Sequence, residues 1–448
     1  MHPSSPPSPA ETPSSAGPPP VAFREAVRTW ARVGFLGFGG PAGQIAVLHR
    51  IVVEEKEWVD EPRFLHALNF CMLLPGPEAQ QLATYIGWMM HGVRGGLVAG
   101  ILFILPGFFI LSVLSALYAA FQTTTLVAAL FFGLKAAIIA VVVEALIRIA
   151  KRALRGRGSV AIAAAAFISL SLLNIPFPIV VLGAGLVGWM VGRRTDPAAN
   201  VTDNSALSDR VSWRRTARVF AIGIVLWWAP VAVLALVLGA RSVWVTEGLF
   251  FGHAATVTFG GAYALLAYVA QQAVENYGWL APGEMLDGLG LAETTPGPLI
   301  LVVQFVAFLG AWRDPGPLPP LVAGLLGATV TAWVTFAPSF MFIFAGAPYV
   351  ERLRGNRGLS AALAGITAAV VGVILNLAVW FSLHVLFARV GEVDAGPFHL
   401  LLPDWRTLDV ASLLIAMGAA FALFRLKWGM IPTLAASVAA GVAVRLIG

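Results

Sequence analysis

Phe38-Gly39-Gly40, Trp58 and Pro75-Gly76-Pro77 near the start of the chain return as Phe259-Gly260-Gly261, Trp279 and Pro296-Gly297-Pro298, every landmark at the same offset in numbering. Glu54 and Glu275 keep that offset too. Both copies lie inside long apolar stretches. Glycine pairs and Pro-Gly-Pro make poor helix interior, because glycine is entropically costly and proline lacks the N–H donor. In lipid, a broken helix is tolerated only where protein or a water-filled cavity satisfies the freed backbone groups. Two breaks in each of two halves point to a carrier whose binding site lies among them.

Composition agrees with a membrane setting. Hydrophobic residues are 58% of 448 and charged residues 12%, about half the ~25% charged share of a soluble domain. That apolar excess cannot be buried in one water-soluble core, and many segments approach the roughly 20 residues needed to span a bilayer. The ten-residue alternation of an outer-membrane barrel is absent. The net charge of +6 sits in short loops between apolar segments, which marks topology rather than nucleic-acid binding. A single cysteine, Cys71, excludes an intrachain disulfide and a cysteine-cluster metal site. Residues 1–20 are rich in proline and serine, without the basic and apolar regions of a signal peptide, and read as a disordered tail.

The fold class expected is an all-α polytopic membrane protein, built from two antiparallel six-segment repeats joined by a connector helix. The breaks fall in the first two segments of each repeat, 23–53 and 64–90, then 249–273 and 285–312. The proline-rich turn Asp314 to Pro320 lengthens the second copy, after which Gly95 and Gly327, Pro106 and Pro338, and Gly133 and Gly365 pair at a larger, again constant, offset. The expected divisions are tail 1–20, first repeat 21–195, loop and connector 196–240, and second repeat 241–448. Basic clusters at Arg148 to Arg157, Arg193 to Arg218, Arg352 to Arg357 and Arg425 to Lys427 are placed in the cytoplasm. Counting segments from them inverts the second repeat relative to the first.

Three runs carry a resemblance: Gly34 to Pro41 (GFLGFGGP), Leu74 to Tyr85 (LPGPEAQQLATY) and Glu293 to Leu299 (ETTPGPL). Together they resemble the chromate ion transporter family, in its long, two-domain form. The resemblance implies efflux of chromate from a bacterial cytoplasm across the inner membrane. Sulfate is the related oxyanion, and a transporter of sulfate or another oxyanion, or a channel, is the alternative. It implies the lipid bilayer and the oxyanion as partners, no cofactor, no metal and no catalytic residues. A homodimer is compatible with the sequence.

A tetrahedral dianion needs several convergent donors. Half-helix N-termini after Pro77 and Pro298 present unpaired N–H groups and a partial positive charge. Gly39-Gly40 and Gly260-Gly261 permit close approach of backbone, so the anion is expected among these four breaks, including Pro75, Gly76, Pro296 and Gly297. Gln80 and Gln81 either donate to the anion or bond between helices. Thr294 and Thr295 either bind oxygen or cap the next half-helix. Lys135, deep in an apolar run, either attracts the anion or pairs with Glu144. Glu78 and Glu293 are candidates for proton coupling. His66, Asn69, His253, Arg50 and Arg63 are weaker candidates.

The seven histidines are scattered, which argues against an enzyme site. No Gly-x-x-x-x-Gly-Lys-Ser/Thr phosphate loop is present. A dianion leaving a negative-inside cell gains about 2.3 kcal/mol per charge per 100 mV, hence about 4.6 kcal/mol. Membrane potential alone therefore suffices for export, and ion coupling or sulfate exchange is open.

Overall fold

The breaks found in the sequence do not bend spanning helices; they reverse the chain. In the computed structural model, which describes residues 21–194, 213–259, 262–347, 357–396 and 398–447, four helical hairpins carry them at their tips. The tail, Gly260-Gly261, Arg210, Arg352 and Arg354 lie outside the described residues.

In the first repeat, α1 (Phe23–Leu36) stops at Gly37, and α2 (Gly40–His49) starts with Gly39 and Gly40 at φ 87° and 65°. Those backbone angles are cheap only for glycine. Next, α3 (Glu61–Cys71) is capped by Asp60, whose carboxylate accepts from the Arg63 N–H at 2.8 Å. The chain turns at Gly76 (φ 123°) into α4 (Glu78–Phe121). α4 reverses once more at His91 and Gly92, giving arms 78–90 and 93–121. Cross-links hold the open ends of both hairpins at one level. Lys56 pairs with Glu25 at 2.7 Å, Trp30 packs on Trp58, and His91 Nε2 bonds the Val21 carbonyl at 2.8 Å.

The second repeat builds the same pair from α9 (Val243–Thr256), α10 (Ala262–Gln271), α11 (Pro282–Thr294) and α12 (Val302–Arg313). Their open ends are held by Arg313, which donates to the Trp279 carbonyl at 2.7 Å and pairs with Glu284. Tyr277 stacks on Trp279 beside them. At 1.5 Å per residue these arms reach about 15 to 21 Å, short of the ~30 Å hydrocarbon layer. Each hairpin therefore enters part-way. Because both broken segments of each repeat become hairpins, the segment count keeps its parity and the repeats remain inverted.

Long apolar helices and shorter apolar ones surround the hairpins. They are the second arm of α4, α5 (Thr125–Ala153), α6 (Arg157–Ser171), α7 (Phe177–Arg194) and the connector α8 (Trp213–Val237). The second repeat supplies α13 (Pro320–Gly346), α14 (Arg357–Leu386), α15 (Val410–Phe424) and α16 (Met430–Ile447), making sixteen helices among the described residues. Five are long and apolar enough to cross a membrane. Leu236 and Val225 on α8 are 87% and 66% exposed, a lipid-facing pattern for so apolar a helix. Exposed Lys151, Arg152 and Arg155, Arg214 and Arg215, and Arg425 and Lys427 sit at the turns assigned to the cytoplasm. The acidic loop on the other side holds a short antiparallel pair, β1 (Val390–Ala395) and β2 (Phe398–Pro403).

The repeats exchange their last helices: α7 packs on α14, and α16 on α5. Glycine makes both crossings close. A methyl group on Gly441 would lie 2.6 Å from the Gly133 Cα, and one on Gly365 would lie 3.1 Å from the Gly188 Cα. Small residues at such crossings replace the hydrophobic effect, which cannot drive association within lipid. Gly441→Val should lower the thermal midpoint in detergent, with a cost of about 1–3 kcal/mol for overpacking. Gly418, which has open space around it, should accept the same change with no such shift.

Candidate functional site

The four tips meet across the repeat boundary through a reciprocal pair of backbone hydrogen bonds. The Gly76 N–H donates to the Thr258 carbonyl at 2.9 Å, and the Gly297 N–H donates to the Gly37 carbonyl at 2.9 Å. Thr258 and Gly37 are themselves related by the repeat offset, so the two bonds are one contact repeated by the pseudo-twofold. Each Pro-Gly-Pro tip thus touches the Phe-Gly-Gly tip of the other repeat. Gln44, fully buried on α2, adds a third bond, its Nε2 donating to the Gly297 carbonyl at 2.5 Å.

The crossing helices close on the same point. A methyl group on Gly107 would collide with the Pro296 carbonyl oxygen and lie 3.3 Å from the Gly297 Cα. Its repeat partner is Ser339, whose Oγ would lie 2.6 Å from a Cβ on Gly76, with Gln81 Nε2 at 2.8 Å. Gly76 therefore leaves a space rimmed by a hydroxyl and an amide. Ser339 Oγ is buried without a partner, as are Thr335 Oγ1 and Thr331 Oγ1 one and two turns away on α13. A buried hydroxyl normally finds an acceptor. A row of three orphans ending at a helix-tip cradle is what an oxygen-rich solute would complete.

Among the described residues, those singled out in the sequence have definite places. Gln81 Nε2 donates to the Pro75 carbonyl at 2.7 Å and Gln80 Nε2 to Thr84 Oγ1 at 3.0 Å, leaving both Oε1 atoms unpartnered. Thr294 and Thr295 donate backwards to Leu291 and Ala292, so they finish α11, and Pro298 occupies the cap position of the next helical turn. Lys135 pairs with Asp287 of the other repeat at 3.1 Å, while Glu144 pairs with Arg148. Glu78 is the first residue of α4, where a negative charge suits the helix dipole. Glu293 is buried; Tyr263 donates its hydroxyl to Oε1, and Oε2 has no partner. Arg148 and Glu144 are the charged groups facing this pair. His253 and Asn69 are exposed and His66 is half-buried, while Arg50 and Arg63 pair with Glu55 and Asp60.

Gln44, Tyr263, Asp287 and Ser339 were not singled out by the sequence reading. Three of them carried a usable signal, since each is a polar residue inside an apolar helix of a hairpin. Ser339 had none, because a serine in a transmembrane helix ordinarily bonds its own backbone. A separate cavity of about 220 Å³ lies under the β1–β2 pair. Glu275, Glu392 and Asp394 line it, which suits a dianion poorly.

Inverted repeats with opposed half-length hairpins, tips joined at the centre, define a multi-pass membrane protein of the transporter class. Residues 24–189 and 246–442 match the chromate transporter family, so the family occurs once in each repeat. The chain is 31% identical to the chromate transport protein of Pseudomonas aeruginosa over 417 residues, covering 91% of this chain and 94% of that one. It is 27% identical to the chromate transport protein of Cupriavidus metallidurans over 359 residues, covering 80% and 82%. An uncharacterized transporter of Methanocaldococcus jannaschii is 23% identical over 393 residues, covering 87% and 92%. No solved structure matches. The protein belongs to the chromate transporter family.

Two outcomes test the site. Gly297→Val places a β-branched residue at φ 103° against Gly107. It should cut transport by at least about tenfold, equivalent to roughly 1.4 kcal/mol, with unchanged recovery in the membrane fraction. Gln44→Leu strips the Gly297 carbonyl of a buried donor and should cost about 1–3 kcal/mol, read as a lower thermal midpoint.

Proposed function

We propose that the protein carries tetrahedral oxyanions, chromate first and sulfate as its analogue, out of a bacterial cytoplasm across the inner membrane. The observation that carries this reading is the orphaned hydroxyl of Ser339 beside the Gly76 tip, where the Gly76 N–H of one repeat meets the Thr258 carbonyl of the other. The first amides of α4 and of the turn after Pro298 have no partner within their own helices. Their dipoles favour an anion held without a full counter-charge. Gly39 and Gly40 let backbone approach it, Pro75 to Pro77 and Pro296 to Pro298 fix the tips, and Gln80, Gln81, Thr294 and Thr295 frame them. Lys135, within the apolar helix α5, supplies a positive charge on the path of the anion.

Membrane potential drives the anion outward, since each negative charge gains about 2.3 kcal/mol per 100 mV. Glu78 and Glu293 are the carboxyl groups beside the tips where a bound proton offsets the charge of an incoming dianion. The relatives named as chromate transport proteins support the choice of substrate.

The test uses the purified chain in proteoliposomes with labelled chromate and sulfate, imposing potential and pH gradients separately. Saturable chromate efflux, accelerated by an interior-negative potential and inhibited by sulfate, is the expected result. Absence of saturable flux of either anion under both gradients overturns the reading.

A further inference from the structure

A second polar cluster joins the repeats away from the tips. Lys135 on α5 and Tyr118 on the second arm of α4 both point at one oxygen of Asp287 on α11. Lys135 Nζ lies 3.1 Å from Oδ2, and the Tyr118 hydroxyl donates to the same atom at 2.6 Å. The other oxygen, Oδ1, is buried with no partner. Asp287 is 1% exposed, whereas the Lys135 side chain is 30% exposed. The pair is therefore sealed on the carboxylate side and open on the ammonium side.

The cluster sits between the tips and the outer face. Lys135 is ten residues from the start of α5, roughly 15 Å, and eighteen from its cytoplasmic end, roughly 27 Å. Asp287 precedes the end of α11 by seven residues, roughly 10 Å short of the Pro296-Gly297-Pro298 tip. Gly283, one turn before Asp287, faces the ammonium: a methyl group there would lie 3.0 Å from Nζ. The remaining charged groups nearby are Glu284 on α11 and Arg313 on α12, which neutralise one another in an ion pair.

With Asp287 ionised, its Oδ2 engages both the ammonium and the phenol. A proton on Asp287 cancels the charge that holds them. Four donor hydrogens, three from Lys135 and one from Tyr118, then become available to an acceptor. A tetrahedral oxyanion fits that donor set and would approach from the side on which Lys135 is open, past Gly283. Conversely, an anion on Lys135 next to an ionised Asp287 places like charges together in a desolvated site, which is costly. Anion and proton therefore favour one another's binding.

We propose that Lys135, Tyr118 and Asp287 form a second oxyanion station, on the outward side of the tips, where the anion binds Lys135 and Tyr118 only as a proton binds Asp287. The inference rests on the oxyanion reading above and adds its coupling. Anion and proton then move in the same direction, Asp287 carrying one proton with each dianion.

The experiment measures sulfate counterflow exchange in proteoliposomes at equal pH on both sides, over a series of pH values. Sulfate stays a dianion from mildly acid to mildly alkaline pH, so any linked proton belongs to the protein. In the wild type, the half-saturating sulfate concentration should fall as pH falls, approaching about tenfold per pH unit for one linked proton. Asp287→Asn should keep a low half-saturating concentration and lose the pH slope. Lys135→Gln and Gly283→Val should raise it at least about tenfold at every pH, equivalent to roughly 1.4 kcal/mol. A wild-type pH slope in Asp287→Asn, or unchanged affinity in both Lys135→Gln and Gly283→Val, overturns the proposal while leaving the oxyanion reading intact. No exchange by the wild type at any pH removes the oxyanion reading and this inference with it.

Discussion

Two backbone hydrogen bonds, Gly76 N–H to Thr258 and Gly297 N–H to Gly37, carry the architecture of the centre. A half-length hairpin in lipid leaves polar groups at its tip that hydrocarbon cannot satisfy. The first repeat has no means of closing its own tips. Meeting an inverted copy solves the problem for both, because each Pro-Gly-Pro amide finds a carbonyl on the opposite Phe-Gly-Gly tip. The inversion of the repeats, the glycine crossings of α5 with α16 and α7 with α14, and the cradle at Gly76 all serve that contact. Even Gln44, with no polar counterpart in the second repeat, directs its amide to the Gly297 carbonyl.

The repeats are symmetric in backbone and asymmetric in chemistry. At offset positions, Gly107 faces Ser339, Ala42 faces Tyr263 and His66 faces Asp287. The scaffold gives a twofold set of helix ends, while the polar side chains are distributed unequally around it. The first repeat contributes Gln44, Gln80, Gln81 and Lys135; the second contributes Ser339, Tyr263, Glu293 and Asp287. A solute passing from one side to the other therefore meets different partners on each. In a site with true twofold chemistry, the inward and outward environments would be equivalent.

The family, the duplication and the positions of the breaks were legible in the sequence because glycine and proline leave local marks. A Pro-Gly-Pro ends a helix wherever it occurs, and a constant offset between two sets of landmarks needs no structure to be seen. The inversion was legible too, from the sides on which basic loops fall. Whether a break bends a helix or reverses it depends on where the next arm packs. Hence 23–53 and 64–90 read as interrupted spans and turned out to be hairpins. The same limit applies to side chains. Lys135 was visible as a cation in an apolar run, but its partner Asp287 stands far along the chain on the inverted repeat, whereas Glu144 was considered only as a charge in the same segment.

Taken alone, the amino-acid order determined what this chain is: a duplicated, helical, lipid-embedded protein with four interruptions that only a shared polar centre can tolerate. Composition and local backbone preference suffice for that, since both act within a few residues. The tertiary structure decided which interruptions touch, that Asp287 answers Lys135, and that Ser339 stands orphaned beside Gly76. Those facts depend on two inverted halves being brought together, and that pairing is written in no single stretch of either half.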